Sequence, residues 1–233
     1  MTEPRDFDRR RRDWLRILMG AGAMATATGA LPVISRPAWA AAERAKEGLY
    51  RVSGRVHVNG KPVQKGDLVQ PGDRVSTGDD GTAVVVMGEH AFLIHENTEV
   101  GLFGGVADQV LEIIAGRMLS VFGEGQLDIT TPVATIGIRG TAVYVENEDD
   151  RTYACVCYGR ANLSSSVTGE TLERVATRYH DSPRYIYKPG KEKQIEKAPV
   201  INHTDSELIM LEWLHLRRPP FYDNLERGER GGY

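Results

Sequence analysis

The chain has 233 residues with an ordinary globular composition, 41% hydrophobic and 26% charged, so it can bury one sizeable core or two small ones. The formal charge is −3, and because residues 1–40 hold seven arginines against four acids, the remainder carries −6. A chain with that balance and no basic stripe lacks the phosphate contacts on which nucleic-acid binding depends, which excludes DNA and RNA as partners.

Residues 1–40 carry the parts of an export signal in the order that such signals have. Arg11 and Arg12 precede an aromatic residue, a leucine and a base, and this pattern resembles the twin-arginine signal, whose route exports proteins that have already folded. A modestly apolar stretch, 17–34, follows, and residues 38–40 form a small-x-small cleavage pattern. The alternative is a basic disordered tail.

The apolar stretch of this signal is weak for a membrane anchor. A stable span needs about 20 strongly apolar residues, whereas residues 17–34 include three glycines and Pro32. Cleavage is therefore favoured over an uncleaved N-terminal anchor. We expect a mature periplasmic protein that begins at Ala41 and has no stable membrane span.

Short apolar runs separated by turn residues recur from residue 49 onward. Residues 49–63 alternate apolar and polar around Asn59 and Gly60, which predicts a tight hairpin. Further runs that predict strands are 82–87, 91–95, 110–114, 117–122 and 126–131. The frequent glycines and the close spacing of turns indicate an all-β fold, a sandwich or roll of short antiparallel strands.

The stretch DITTPVATIGIRGTAVYVE, residues 128–146, organises the rest of the chain. Its β-branched runs predict strands at 128–131 and 142–146, joined through Pro132 and a glycine-containing link. Arg139 is the one charge in this otherwise apolar link. We predict that its guanidinium is partly buried and hydrogen-bonded to backbone carbonyls or an acid.

These motifs together resemble the periplasmic FecR-type domain. The resemblance rests on the order of KGDLVQPGDRV, FLIHENTEVGL, LEIIAGRMLSVFG and TPVATIGIRGTAVYVE in the chain. It implies a FecR-like β domain at residues 48–163. In this family, such domains sense or relay the state of an outer-membrane receptor to a cytoplasmic regulator through a transmembrane helix.

The composition changes after residue 163, which predicts an irregular C-terminal extension at 164–220 and a flexible tail at 221–233. Within the extension, TDSE precedes the apolar LIMLEWLHL. A capping residue followed by acids in the first turn is a helix start, so we predict one helix at about 205–217 that packs back on the sheet.

The chain has two cysteines, Cys155 and Cys157, in YACVCYG. On a strand, residues two apart face the same side. A disulfide between them would be strained, because Cα atoms two apart in an extended chain lie near or beyond the reach of an S–S bridge. Two thiols on one side of a strand are suited instead to chelating a metal.

His180 in RYHDSPRY and His203 in INHTDSE are the candidate partners of these thiols, and each has an acid close behind it. Two Cys and two His match the ligand set of a tetrahedral zinc site, and the soft sulfurs would also suit another transition metal. We predict that Cys155, Cys157, His180 and His203 converge where the last strand of the domain meets the extension. The alternative is that the cysteines are packing residues and each histidine is hydrogen-bonded separately.

No nucleophile elbow, phosphate loop or pair of acids points to an enzyme. The predicted function is a non-enzymatic FecR-like binding, signalling or scaffold module with a protein partner in the periplasm or cell envelope. Direct contact with a sigma factor is not expected. The N-terminal signal has the pattern of a cleavable one, and no basic cytoplasmic regulatory domain is recognised. The alternative is a metal- or redox-active periplasmic protein that uses the two cysteines with the two histidines.

Overall fold

The computed structural model describes residues 43–103 and 110–226. In these two ranges the chain forms one open sheet of fourteen strands and two helices, α1 Asp205–Trp213 and α2 Tyr222–Glu226. The strands are β1 Gly48–Ser53, β2 Val56–Val58, β3 Lys61–Pro62, β4 Arg74–Thr77, β5 Thr82–Met87, β6 His90–Ile94, β7 Glu99–Phe103, β8 Val110–Val121, β9 Gln126–Thr130, β10 Ala134–Asn147, β11 Arg151–Ser165, β12 Thr171–Thr177, β13 Arg184–Tyr187 and β14 Ile195–Lys197. The prediction of an all-β fold is confirmed.

The centre of the sheet is formed by three strands that are longer than the predicted runs. Strands β8, β10 and β11 have 12, 14 and 15 residues. The order along the sheet is β14-β13-β11-β10-β9-β8-β7-β4-β2-β3, with β6, β5 and β1 branching from β8 and with β12 beside β11. Because β10 pairs with β9 through one half of its length and with β8 through the other, a single strand belongs to both parts of the curled sheet.

The pairing of β10 with β11 is irregular between Arg139 and Val143, where the register shifts. Gly140 has φ +54°, and a Cβ on Gly159 would lie 2.9 Å from the carbonyl oxygen of Gly140. Glycine is required at such positions because other residues are strained or clash there. The link predicted between two short strands is therefore wrong in detail, since residues 134–141 are themselves part of β10.

Arg139 is exposed, contrary to the expectation of a partly buried guanidinium. Ile136 and Ile138 are buried in the core, so the two-residue period of the strand directs Arg139 to the outer face. There its Nη2 donates a hydrogen bond of 3.4 Å to Oε1 of Gln126. The apolar neighbours in the sequence belong to the opposite face of the strand.

The central strands are buried on both faces. On β11, Ala154 and Val156 point into the core enclosed by the curled sheet, whereas Tyr153, Cys155 and Cys157 point to the opposite face. That second face is covered by the C-terminal part of the chain, through Leu208, Leu211, Leu214 and Phe221. Two-sided burial explains the unbroken apolar run YACVCY at residues 153–158 of this strand.

The extension is more regular than predicted, since it contributes β12, β13 and β14 to the sheet as well as helix α1. The predicted flexible tail also begins with structure, because α2 lies within it. Helix α1 starts at the predicted residue, where the Thr204 hydroxyl accepts from the backbone N–H of Glu207 in a capping box. It ends at Trp213, earlier than expected, and Leu216 has φ +57°, a left-handed conformation in which a helix cannot continue. In the described ranges, neither helix has the length and apolar character that crossing a bilayer would require.

Residues 199–221, here called the cover segment, follow the last strand and lie over the outer face of the sheet. The buried Glu212 anchors the end of α1, because its Oε2 accepts from Nε of the half-buried Arg217 at 2.6 Å and its other oxygen accepts from the Tyr158 hydroxyl. The backbone N–H of Ala45 donates to the carbonyl of Leu214 at 2.8 Å. The cover segment is thus attached to β11 and to the first described residues.

Candidate metal centre

Cys155 and Cys157 lie in the middle of β11, and both side chains are fully buried as free thiols. Their shared direction follows from the period of the strand, which also places Tyr153 on the same face. Tyr144 is the register partner of Cys155 on β10, so an aromatic ring stands directly beside the thiols. The site therefore begins on the most rigid part of the sheet.

His180 lies in the turn between β12 and β13 and has φ +47°, a conformation that is uncommon outside glycine. The turn is held by Thr177, whose hydroxyl donates to Asp181 at 2.7 Å and accepts from the Asp181 backbone N–H at 3.2 Å. The backbone N–H of His180 donates to the carbonyl of Cys157 at 2.9 Å. These contacts fix the imidazole ring against the thiols.

His203 immediately precedes the N-cap of α1, after Asn202, which has φ +56°. Its ring stacks on Tyr144 with centroids 4.5 Å apart and an interplanar angle of 17°. Its Nδ1 lies 2.6 Å from the carbonyl oxygen of Ile201. The start of the helix and the stacked tyrosine together aim Nε2 of His203 at the site.

The four side chains converge, with one possible ligand atom from each lying within 4.8 Å of all the others. Cys155 Sγ is 3.5 Å from His180 Nδ1, and His180 Nδ1 is 3.0 Å from His203 Nε2. A tetrahedral zinc ion with ordinary bond lengths would separate sulfur and nitrogen ligands by about 3.5 Å and two nitrogens by about 3.3 Å. The spacing of the donors is thus close to that of a tetrahedral site.

The second nitrogen of each ring faces an acceptor. A carbonyl oxygen accepts only, so the short contact with Ile201 places the proton of His203 on Nδ1. His180 Nε2 lies 3.3 Å from Oδ1 of Asp205, which favours the proton on that nitrogen. Metal-binding histidines commonly make such contacts, because they fix the tautomer and leave the other nitrogen free to bind the ion.

Asp205 belongs both to the site and to the helix. It occupies the first turn of α1, where a carboxylate is favoured by the helix dipole. Its Oδ2 accepts from the Tyr179 hydroxyl at 2.7 Å while its Oδ1 faces His180. The helix start is therefore linked through one carboxylate to a candidate metal ligand.

The buried donors perturb one another strongly. Interaction with Cys157, followed by hydrogen bonds with His180 and His203, holds the pKa of Cys155 well below its usual range despite its burial. Burial, and then the neighbouring Cys155, raises the pKa of Cys157 well above its usual range. Burial alone would lower the pKa of His180, but Asp205 and Cys155 outweigh it and raise the pKa to about 9. The pocket thus favours thiolate and positive charge together.

The sequence did not identify the residues that hold the four donors in place. The stacking of Tyr144 on His203 depends on strand register, and the Ile201 carbonyl is a backbone group that no residue type reveals. The Tyr153 hydroxyl also donates to the carbonyl of Pro199 at 2.9 Å, at the start of the cover segment. Of these supporting residues, only Asp205 could be noticed in the sequence, because it lies two residues after His203.

Comparison with known proteins identifies part of the sheet. Residues 73–162 match a family model described as FecR protein. The match includes Cys155 and Cys157 and ends before His180 and His203. No curated protein matches the chain.

Two solved structures are similar to this chain, both described as a candidate anti-sigma factor from Parabacteroides distasonis. The first has 13% identity and a TM-score of 0.46, and the alignment covers 60% of this chain and 64% of the other. The second has 13% identity and a TM-score of 0.45, with 59% and 71% covered. The chain thus spans less than two thirds of the first structure's length.

Proposed function

Residues 73–162 form a FecR domain, and on this premise we propose that the chain is a non-enzymatic signalling module that binds a protein partner in the periplasm or cell envelope. We further propose that a transition-metal ion fastens its cover segment to the sheet. The ligands are Cys155, Cys157, His180 and His203. The export signal at residues 1–40, which lies outside the described residues, would deliver the mature chain from Ala41 onward.

The observation that carries the metal proposal is the convergence of four buried donors from three separate parts of the chain. Buried polar side chains cost free energy unless they are paired. Two thiols and two imidazoles, each with a possible ligand atom within 4.8 Å of the others, are more than apolar packing requires. A metal ion would satisfy all four donors at once.

Zinc is the metal that fits this donor set best. Zn²⁺ prefers tetrahedral coordination by thiolate and imidazole, and Cys₂His₂ is one of its usual structural ligand sets. With four protein ligands the coordination is closed, which leaves no position for a substrate or a reactive water. A structural rather than a catalytic metal agrees with the proposed non-enzymatic role.

The free energy of zinc binding explains why a metal would matter to the stability of this fold. A structural zinc site contributes an apparent binding free energy of about 10–16 kcal/mol. That is large beside the about 1.5–3 kcal/mol gained by burying one side chain such as Leu208.

A redox role for the cysteines is the second candidate, and the geometry favours it less. Both thiols are fully buried, whereas reactive cysteines are partly exposed. Their Cα atoms, two apart on a strand, are separated by about 6.6 Å, near the limit for a disulfide. Metal ligation would keep such thiols reduced in an oxidising compartment.

The test is the metal content of the purified mature chain, measured by mass spectrometry of the dissolved protein. We expect about one zinc ion for each chain. Cys155→Ser and His203→Ala should each abolish stoichiometric binding, whereas the matched control His57→Ala, in β2 and remote from the cluster, should retain it. Metal-free wild-type protein that takes up no zinc when it is supplied would overturn the proposal.

The signalling part is tested separately by cross-linking the mature chain in the periplasm and identifying the captured proteins. We expect one dominant partner from the envelope. A chain that is captured only with itself, or only in the cytoplasm, would contradict this part of the proposal.

A further inference from the structure

We infer that occupancy of the metal centre controls access to the sheet face beneath the cover segment, and that the partner of this face is a protein with an amphipathic helix. The inference rests on the proposed metal centre and assigns that centre a regulatory role. In the metal-loaded chain, the chain's own helix α1 occupies the face. Loss of the ion releases the helix and leaves the face open to another.

The cover segment is attached mainly by side chains. The last described strand is β14 Ile195–Lys197, so the cover segment is not held by the sheet's hydrogen-bond ladder. Its helix has nine residues, and isolated helices of that length are marginal in water. The segment therefore depends on its docked contacts, and His203 lies at the start of the helix that makes most of them.

The metal ligands join this segment to two parts of the sheet that are fixed independently. Cys155 and Cys157 belong to β11, which pairs with β10 along almost its whole length. His180 lies between two strands that both pair with β11. Of the four ligands, only His203 lies on the cover segment. The ion would therefore join that segment to the sheet, in addition to the hydrogen bonds that Tyr153 and Tyr158 make to it.

The face beneath the cover segment is apolar. It is formed by Leu119 and Val121 of β8, Ala142 and Tyr144 of β10, and Tyr153 of β11, all of them buried. Helix α1 covers it with Leu208 and Leu211, one turn apart, followed by Leu214. Residues at such intervals form one face of a helix, which is the feature that an amphipathic partner helix would reproduce.

The rim of the face offers a further point of recognition. Glu212 of α1 is buried against Tyr158 and Arg217. Arg217 belongs to the cover segment, and Tyr158 remains on β11 when that segment leaves. A partner helix with an acid four residues after its first apolar anchor would find the tyrosine hydroxyl as a donor.

Hydrogen exchange of the mature chain, with zinc bound and after chelation, tests the inference. We expect amides 203–216 to exchange at least about tenfold faster after chelation, while amides of β10 and β11 remain protected. Equal protection of 203–216 in both states would overturn the inference while leaving the metal centre intact. Loss of protection throughout the sheet would also overturn it, because the ion would then hold the whole fold. Failure to bind zinc at all would instead refute the proposed function.

A second measurement uses a synthetic peptide with the sequence of residues 200–218 as a model helix. It should bind the zinc-free chain at least about tenfold more tightly than the zinc-loaded chain. A control peptide with all three leucines replaced by serine should bind neither form. Equal affinity of the leucine peptide for the two forms would contradict control by the metal.

Discussion

Nε2 of His203 lies 3.0 Å from Nδ1 of His180, although the other nitrogen of each ring faces an acceptor. Because the pKa of His180 is raised to about 9, a second proton on its Nδ1 donates to Nε2 of His203 at neutral pH in the metal-free chain. A metal ion would take the place of that shared proton between the two nitrogens. The two thiols next to the same point favour the metal.

Removing the metal should lower the thermal stability of the mature chain. Structural zinc sites supply a large share of folding free energy, and about 1 kcal/mol corresponds to about 2–4 °C in a domain of this size. We expect a strong chelator to reduce Tm by about 10 °C or more, on these same scales. Added zinc should restore the original value.

The chelator needs a control for its effects on the protein surface. In the double variant Cys155→Ser with His203→Ala, Tm should be low from the start and should not respond to chelator or zinc. If wild type and this variant respond alike, the thermal effect arises elsewhere.

Asp205 and Glu207 provide a matched pair in the first turn of α1. Asp205 faces His180, whereas Glu207 completes the capping box with Thr204. Asp205→Asn should weaken zinc binding by about 10–100-fold, because a weaker acceptor holds the imidazole less firmly. Glu207→Gln should leave zinc affinity nearly unchanged and lower stability by about 1 kcal/mol or less. Competition with a zinc indicator dye measures the affinity, and equal losses in the two variants would show that Asp205 acts only through the helix.

Arg139 and Arg184 test how burial decides the effect of removing an arginine. Arg139 is exposed, so Arg139→Ala should change the free energy of unfolding by no more than about 0.5 kcal/mol. The Arg184 side chain is 12% exposed and binds Glu173 with two hydrogen bonds of 2.6 and 2.8 Å. Arg184→Ala should cost about 1–3 kcal/mol in urea unfolding. A larger loss for Arg139→Ala than for Arg184→Ala would be inconsistent with this placement.

Export should depend on the arginine pair at the N-terminus. Replacing Arg11 and Arg12 by lysine should hold the chain in the cytoplasm, because an ammonium does not reproduce guanidinium geometry. Cell fractionation measures the distribution, and replacement of Arg9 and Arg10 by lysine is the matched control. Mass spectrometry of the exported form should give Ala41 as the first residue, and unchanged delivery of the Arg11 and Arg12 variant would refute this route.

The strands and the helix start could be predicted where a local sequence pattern alone determines the secondary structure. The hairpin of β5 and β6 follows from two apolar runs separated by a turn, and the start of α1 follows from its capping residues. The prediction of a partly buried Arg139 is wrong because its apolar neighbours in the sequence are not its neighbours in the structure. The period of two along β10 separates them onto opposite faces, and that period was visible only once residues 134–141 were known to be strand.

For the candidate site, the sequence predicts what depends on neighbouring residues and not what depends on residues far apart in the chain. The common direction of Cys155 and Cys157 follows from local periodicity. Their proximity to His203 depends on how β13, β14 and the cover segment return across the sheet, which no local pattern encodes. The four residues could be proposed from donor chemistry, but the tautomers and the roles of Tyr144 and Ile201 required coordinates.

X-ray absorption at the zinc edge of the mature chain measures the central claim most directly, because it reports the atoms bound to the ion. The account predicts two sulfur ligands at about 2.3 Å and two nitrogen ligands at about 2.0 Å. His203→Ala and Cys155→Ser should each lose this sulfur-containing signal, because neither variant keeps the ion in stoichiometric amount. A first shell made of oxygen and nitrogen alone, unchanged in both variants, would place the metal elsewhere and contradict the account.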